Sequence, residues 1–291
     1  MAKAAADLAL TQPAVTKAIA EMEHTLGVRL LDRTSRGVEP TVYGRALLKW
    51  SNIVFDDLHQ AVGELGFLAD PTAGELRIGA IAPMLQGLLP AILDDMSRRY
   101  PRIAFHVMPA ASAAEQYRAL RERAIDLIIG RLVKVATEDD LKTERLFADS
   151  IHVVAGARNR WVRRQAIRLA ELVNEPWVLP ARDTSANSVA WPWVAEAFGA
   201  ERLNVPPARV TTNSVPMQIA LLSTDRYLAM LPRSLVWFGG SKLGIKILPI
   251  NLAVHAPPVG VVTLTNRTVS PVAQLFIQCA RDIAMPLVNA R

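Results

Sequence analysis

Leu10-Thr11-Gln12-Pro13-Ala14-Val15-Thr16-Lys17-Ala18-Ile19-Ala20-Glu21-Met22-Glu23-His24-Thr25-Leu26-Gly27 is the stretch whose reading decides the fold. Thr11 suits a helix N-cap, because its hydroxyl can accept an orphan amide of the first turn. Pro13 is tolerated in that turn, where no intrahelical donor is required. Val15, Ile19, Met22 and Leu26 recur at i, i+4, i+7 and i+11 and form one apolar stripe, with Thr16, Lys17 and Glu23 off it. Gly27 closes the helix where a left-handed residue is wanted. Upstream, Lys3 to Leu10 reads as a short helix with Ala5, Leu8 and Ala9 on one side. Two short helices joined by a tight turn, with small and polar residues opening the second, have the shape that enters a major groove. An ordinary helical hairpin shares that pattern.

Downstream, Arg29-Leu30-Leu31-Asp32-Arg33 can form a strand, Ser35-Arg36-Gly37 a turn and Val38-Glu39-Pro40 a return strand, which together make a wing with Arg33 and Arg36 towards phosphates. Thr41 can cap the next helix, whose Leu47, Trp50, Val54, Leu58, Ala61, Leu65 and Leu68 form a seam at spacings of three and four. A helix this long and this apolar on one side needs cover, either from its own chain or from a second copy. A two-fold dimer would read a pseudo-palindromic site.

The run Ala4-Ala5-Ala6-Asp7-Leu8 to Thr11-Gln12-Pro13-Ala14-Val15-Thr16-Lys17-Ala18-Ile19, followed by Glu23, Leu26-Gly27-Val28-Arg29-Leu30-Leu31-Asp32-Arg33, Pro40-Thr41 and Gly44, resembles the signature of LysR-type transcriptional regulators. The resemblance implies that Thr11, Gln12, Pro13, Ala14, Thr16 and Lys17 lie at double-stranded DNA, with Arg33 and Arg36 in the wing. Lys17 is then a phosphate or guanine contact and Gln12 a candidate for a base edge. Leu31 and Val42-Tyr43 depart from the family's more usual aromatic residue and Glu-Ala-like pair. The family also begins with an additional helix packed under these two, and this chain is expected to start inside the second, with Met1 an internal methionine of a longer protein. Leu8, Val15 and Ile19 would then lose cover, at about 1.5 to 3 kcal/mol for each large side chain exposed.

The rest of the chain reads as alternating strands and helices. Asp70-Pro71-Thr72-Ala73-Gly74 is a linker, Leu76 to Ala80 a strand, Leu85 to Arg99 a helix, Ile103 to Val107 a strand, Ala113 to Arg123 a helix and Leu127 to Gly130 an apolar strand. Further strands are expected at 177–179, 208–211, 227–230 and 259–264, and a last helix from Ser270-Pro271. Such alternation predicts an α/β fold with parallel sheets, whose ligands bind outside the carboxyl ends of the strands. Pro83, Met84, Ser112, Arg131, Arg182, Thr184, Asn213 and Ser214 lie at those ends and are the candidate effector residues, although helix capping explains any single hydroxyl among them equally well.

The order of units, and the phrase Ile125-Asp126-Leu127-Ile128-Ile129-Gly130, resemble the LysR effector domain, which has the two-lobed fold of periplasmic binding proteins. The implied organisation is a winged helix-turn-helix with its dimerisation helix over residues 1–69 and an effector domain over 74–291. Lobe I takes 74–153 and 248–291, and lobe II takes 154–247, with crossings near 152–157 and 247–249. Pro83 stands where many members have an effector-binding Ser or Thr, so Ser112, Thr184 or Ser214 is expected to take over that contact. Asn213-Ser214, Met230-Leu231-Pro232 and Asn266 to Pro271 resemble the branch regulating sugar-uptake and aromatic-acid genes, which points to a sugar or a small carboxylate. The implied partners are DNA, the effector, further copies of the chain as homodimer or homotetramer, and RNA polymerase. The implied mechanism is a population shift in which effector binding closes or rotates the lobes.

Composition excludes other classes. With 51% hydrophobic and 21% charged residues the 291-residue chain is foldable rather than disordered, and no apolar run is long enough to span a bilayer. No secretory signal is legible at the N-terminus and Cys279 is the only cysteine, so a cytoplasmic protein without disulfides is expected. The net charge of +6 is unevenly spread: residues 1–70 carry 7 basic and 9 acidic side chains, 71–150 carry 11 of each, and 151–291 carry 15 against 7. Bulk charge therefore does not argue for DNA binding by the first segment. The five histidines have no metal spacing, and no phosphate-cradling glycine loop or nucleophile elbow is present, so neither an enzyme nor a cofactor is expected. A sensor module that dimerises without binding DNA remains the second reading.

Overall fold

The computed structural model describes residues 2–34, 37–110, 112–133, 139–182, 190–252, 254 and 256–289. The chain divides into two compact units, 1–62 and 63–291. The first contains α1 (Ala2–Asp7), α2 (Gln12–Leu26) and the antiparallel hairpin β1 (Leu31–Thr34) and β2 (Gly37–Pro40), after which α3 (Val42–Ala69) begins. Ala9 turns the chain between the first two helices with φ +53, a left-handed conformation that costs a residue with a Cβ about 1 to 2 kcal/mol. Thr11 caps α2 by accepting from the Ala14 amide at 3.3 Å, and Gly27 ends it at φ +69. Of the α2 stripe only Val15 is buried; Ile19 is half-buried, and Met22 and Leu26 are exposed.

The second unit holds two five-stranded sheets. The first runs β4 (Arg102–Pro109), β3 (Ala73–Ala80), β5 (Leu127–Arg131), β12 (Val259–Leu264), β6 (Leu141–Phe147). The second runs β11 (Ile245–Ile247), β7 (Ile151–Gly156), β10 (Leu228–Pro232), β8 (Trp177–Leu179), β9 (Ala208–Thr211). Both are mixed rather than parallel. β3 lies parallel to β4 and β5, and β8 to β9 and β10, but β12 is antiparallel to β5 and β6, and β7 to β10 and β11. β7 and β12 are the strands reached by crossing between sheets; with no crossover helix to carry the chain back, neither is set parallel to its neighbours.

Helices cover both faces. In the first lobe α5 (Leu88–Arg99) and α10 (Pro271–Asn289) bury Leu88, Ile92, Met96, Phe276 and Ala280 against Leu76 and Ile78, while α6 (Ala113–Arg121) packs Leu120 over Ile128 and Val262. In the second, α7 (Ala190–Ala200) sets Phe198 edge-on to Trp177 at 5.6 Å, and α8 (Val215–Leu222) and α9 (Arg233–Leu243) close the opposite face with Ile219 and Leu235. The expected Leu85 to Arg99 helix is two: α4 (Ala82–Gln86) and α5, broken at Gly87 (φ −129, ψ −95). Sheet membership puts the first crossing at 148–150 rather than 152–157. The return comes after Leu248 and Ile250, which are still buried in the second lobe's core, rather than at 247–249.

Candidate DNA interface and effector site

In the first unit the opening turn of α2 is bare. Thr11, Gln12, Pro13, Ala14 and Lys17 are exposed and Thr16 is half-buried, its hydroxyl donating to the Gln12 carbonyl at 2.9 Å. Lys17 Nζ lies 3.7 Å from Glu21, both in solvent. Arg33 is in β1, opposite Val38; Arg36 lies outside the described residues.

What holds this turn against the hairpin is polar. Glu23 Oε1 accepts from the amides of Leu30 (2.7 Å) and Leu31 (3.1 Å), tying α2 to β1. These two bonds, first Leu30 and then Leu31, hold its carboxyl below the ordinary glutamate value. Thr41 clasps the other side: its amide donates to the Leu30 carbonyl (2.9 Å), its hydroxyl donates to the Arg29 carbonyl (2.7 Å) and accepts from the Gly44 amide (3.0 Å). A Cβ on Gly44 would lie 2.1 Å from the Leu30 carbonyl oxygen, so only glycine lets α3 approach this closely. Glu23, Thr41 and Gly44 stand in the recognised signature, but their role is legible only in three dimensions.

The candidate effector residues separate into two groups. Ser112 and Ser214 are N-caps, of α6 and α8, accepting from Glu115 (3.1 Å) and Met217 (3.4 Å). Asn213 Oδ1 accepts from the Ala181 amide at 3.0 Å, joining the ends of β8 and β9. Arg182 is exposed there, its guanidinium 4.8 Å above the Trp191 ring. Pro83 is half-buried in the first turn of α4. Thr184 lies outside the described residues.

Met84 and Arg131 do not fit the expectation. Met84 is fully buried in the first lobe's core, because the turn of α4 that leaves Pro83 half-buried aims the next side chain inward. The Arg131 side chain is 2% exposed and is spent internally. Its Nη2 donates to Asp149 Oδ2 at 2.9 Å and its Nη1 to the Pro257 carbonyl at 2.9 Å, and its guanidinium lies 4.7 Å from the Trp193 ring. Asp149 also accepts from the Ser234 hydroxyl (2.7 Å) and amide (3.1 Å) and from the Ser150 amide (3.0 Å). Arg131 ends a strand of the first sheet, Asp149 sits in the first crossing, Pro257 in the return, and Trp193 and Ser234 on second-lobe helices. The network therefore clamps both crossings. Nearby, burial and then the Arg233 charge push the His152 pKa down against the opposing Asp149 charge, and Ser150 Oγ lies 2.8 Å from His152 Nε2.

The same side of the second unit carries a close helix joint. A Cβ on Gly87 would meet the Leu235 Cα at 3.1 Å, and one on Gly239 the Gln86 carbonyl oxygen at 3.2 Å. Ala82 packs on a second-lobe core and Phe238 on the first-lobe core. Asp126, in the phrase that carries the resemblance, binds Arg77 (2.7 Å) and Arg267 (2.6 Å). Burial opposes its charge, but the hydrogen bonds from Arg77 and the nearby Arg267 and Arg77 charges outweigh it and keep its pKa lowered. Among the described residues no three His, Cys, Asp or Glu side chains are placed to hold a metal ion, and no helix is long and apolar enough to cross a membrane.

A winged helix-turn-helix followed by a two-lobed α/β domain defines a class of ligand-responsive DNA-binding regulators. The model of the LysR substrate binding domain matches residues 69–284, and that of the bacterial regulatory helix-turn-helix protein, lysR family, matches 1–45. The chain belongs to the LysR family and is a DNA-binding transcription regulator with an effector-binding domain. It is 26% identical over 284 residues to the transcriptional regulator GbpR of Azospirillum brasilense, covering 96% of this chain and 80% of that one. Full-length OxyR from Pseudomonas aeruginosa superposes with a TM-score of 0.65 at 20% identity, covering 97% of this chain and 88% of that one. The effector domain of QuiR in complex with shikimate gives 0.53 at 19% identity, covering 74% and 98%. The helix-turn-helix match favours the regulator over a sensor that does not bind DNA.

Proposed function

We propose that the regulator answers to a small carboxylate held at the strand ends of the two lobes, and that it reads DNA with the opening turn of α2. The observation that carries the ligand class is Arg182. It is an exposed guanidinium already stacked on Trp191, with no carboxylate partner among the described residues. It stands beside the Ala181–Asn213 bond that brings the N-terminus of α8 to the same place. A carboxylate can take that guanidinium fork in two charge-assisted hydrogen bonds, which a neutral sugar does not match. Because Arg131 is committed to Asp149, it shapes the site without touching the ligand.

On the DNA side, Gln12 reads a base edge and Lys17 a phosphate or guanine, since its exposed pair with Glu21 is weak enough to be displaced. Arg33 and Arg36 take flanking phosphates. The apolar face of α3, with Trp50, Val54, Phe55, Leu58 and Leu65 between 60 and 70% exposed, is covered by a second copy of the chain. With chromosomal DNA as its target, the protein works in the cytoplasm.

A thermal-shift screen of carboxylates, shikimate among them, against neutral sugars tests the ligand class. A ligand at 100 times its Kd adds roughly 2.7 kcal/mol. Stabilisation by a carboxylate that Arg182→Gln abolishes supports the assignment; stabilisation by a sugar that survives Arg182→Gln refutes it.

A further inference from the structure

Residues 157–172 cross the surface of the second lobe as one hydrogen-bonded platform. Asn159, 5% exposed, caps a 3-10 helix (Arg160–Arg163) by accepting from the Trp161 amide at 3.0 Å, and donates its Nδ2 to the Asp225 carbonyl at 2.8 Å. Asp225 holds the turn with its side chain as well, accepting from the Arg158 amide (2.9 Å) and guanidinium (3.0 Å), and adopts φ +62 to do so. Gly156 makes room for this, since a Cβ there would lie 2.3 Å from the Leu222 carbonyl oxygen. A second 3-10 helix (Leu169–Leu172) follows, entered by the Arg168 amide donating to Glu171 at 2.8 Å.

Side chains sort by face. Ile167, Leu169 and Leu172 are buried in the second-lobe core and Trp161 and Val162 pack against it, while Arg158, Arg160, Arg163, Arg164 and Arg168 are all exposed. No acidic residue occurs between Asp149 and Glu171. Arg158 pairs with Asp225, Arg160 with Glu175 and Arg168 with Glu171, but Arg163 and Arg164 meet no carboxylate among the described residues. Arg226, next to Asp225, adds a further exposed cation over Tyr227.

We propose that this platform is a second DNA contact, binding the phosphate backbone of a duplex through Arg163 and Arg164. A protein partner would need an apolar anchor at the centre of the patch, and no large hydrophobic side chain is exposed among the described residues between Met108 and Met217. Phosphates need only fixed cationic donors, for which guanidinium is the better head group, and a rigid platform loses little entropy on contact. The surplus of 15 basic over 7 acidic residues in 151–291 then has a use that the helix-turn-helix does not share. The proposal rests on the chain's DNA binding but not on the contacts assigned to α2.

The full chain is titrated by fluorescence anisotropy against a labelled random-sequence duplex of about 60 base pairs, across salt from about 50 to 200 mM. R163Q/R164Q should make the slope of log affinity against log salt shallower by about 1.8 for each chain on the duplex and weaken binding at least tens-fold near 0.1 M salt; K17Q should change the slope by about 0.9 for each chain. R163K/R164K, which keeps the charge, should hold the slope. An unchanged urea midpoint for each variant shows that the fold is intact. A slope for R163Q/R164Q within about 0.3 of the parent overturns the proposal, and is the result expected if an acidic protein is the occupant. A shift in R163Q/R164Q with none in K17Q keeps the platform and removes Lys17 from the α2 contacts.

Discussion

The two units keep their shape by different means. Among the described residues the first unit buries only three hydrophobic side chains, Ala5, Val15 and Leu30, and leaves Leu8, Met22 and Leu26 in water. Its helices and hairpin are joined through Glu23, Thr41 and Gly44, whose hydrogen bonds end on backbone amides and carbonyls. The second unit buries whole faces of two sheets, and sets among those apolar cores the charged clamp of Arg131 and Asp149 and the paired Asp126 and Arg267. A head that must meet many backbone phosphates can be small and polar in its joints. A domain that must hold two lobes in register around a ligand needs mass, with a buried charge such as Arg131 answered by a partner of opposite sign.

The largest effects should fall on the second unit. Phe276→Ala, at a fully buried position under α5, should cost about 3 to 5 kcal/mol in urea unfolding. Asp149→Asn should cost a similar amount, about 3 to 5 kcal/mol, because it leaves the buried Arg131 charge uncompensated. Adding Arg131→Met should return much of that loss; if the double variant is no better than the single, the clamp is not a coupled pair.

Gly44→Ala should cost about 1 to 3 kcal/mol through overpacking against the Leu30 carbonyl. Hydrogen exchange should quicken at the Thr41 and Gly44 amides while the cores of the second unit keep their protection. Exchange that rises equally in both units would erase the contrast between them. The smallest effect is electrostatic. The Glu23 pKa is lowered in the folded state, so its contribution is complete above the ordinary glutamate range and is lost as pH falls through the lowered value. Amide exchange at Leu30 and Leu31 should therefore accelerate in acid, and Glu23→Gln should flatten that dependence.

Local chemistry was legible wherever it decides structure. Thr11 and Gly27 bound α2 as capping chemistry requires, and β8, β9 and β12 occupy the residues read as strands, being apolar or β-branched runs between turn signals. Long-range chemistry was not. At Gly87 the missing side chain admits Leu235, far along the chain, whose Cα lies 3.1 Å from where a Cβ would be, a contact that no local pattern announces. β6 carries Lys142, Glu144 and Arg145 in an edge strand, which hides its period. From its place at a strand end Arg131 reads as a ligand contact; its partners Asp149, Trp193 and Pro257, with Ser234 behind Asp149, come together only through the crossings.

One feature of the first lobe is useful to the experimenter. Cys279, the chain's single cysteine, is buried under α5 with its Sγ 3.1 Å from Asp95, and burial, helped by that carboxylate, pushes its pKa up to about 12. At ordinary labelling pH the thiol is protonated and shielded, so it is a poor nucleophile. The wild-type chain is thus already a silent background for thiol-directed dyes or spin labels. Pairs of cysteines introduced on the two lobes can report effector-driven distance changes without first removing a native residue, and any labelling of the parent protein becomes a direct reading of how often the first lobe opens.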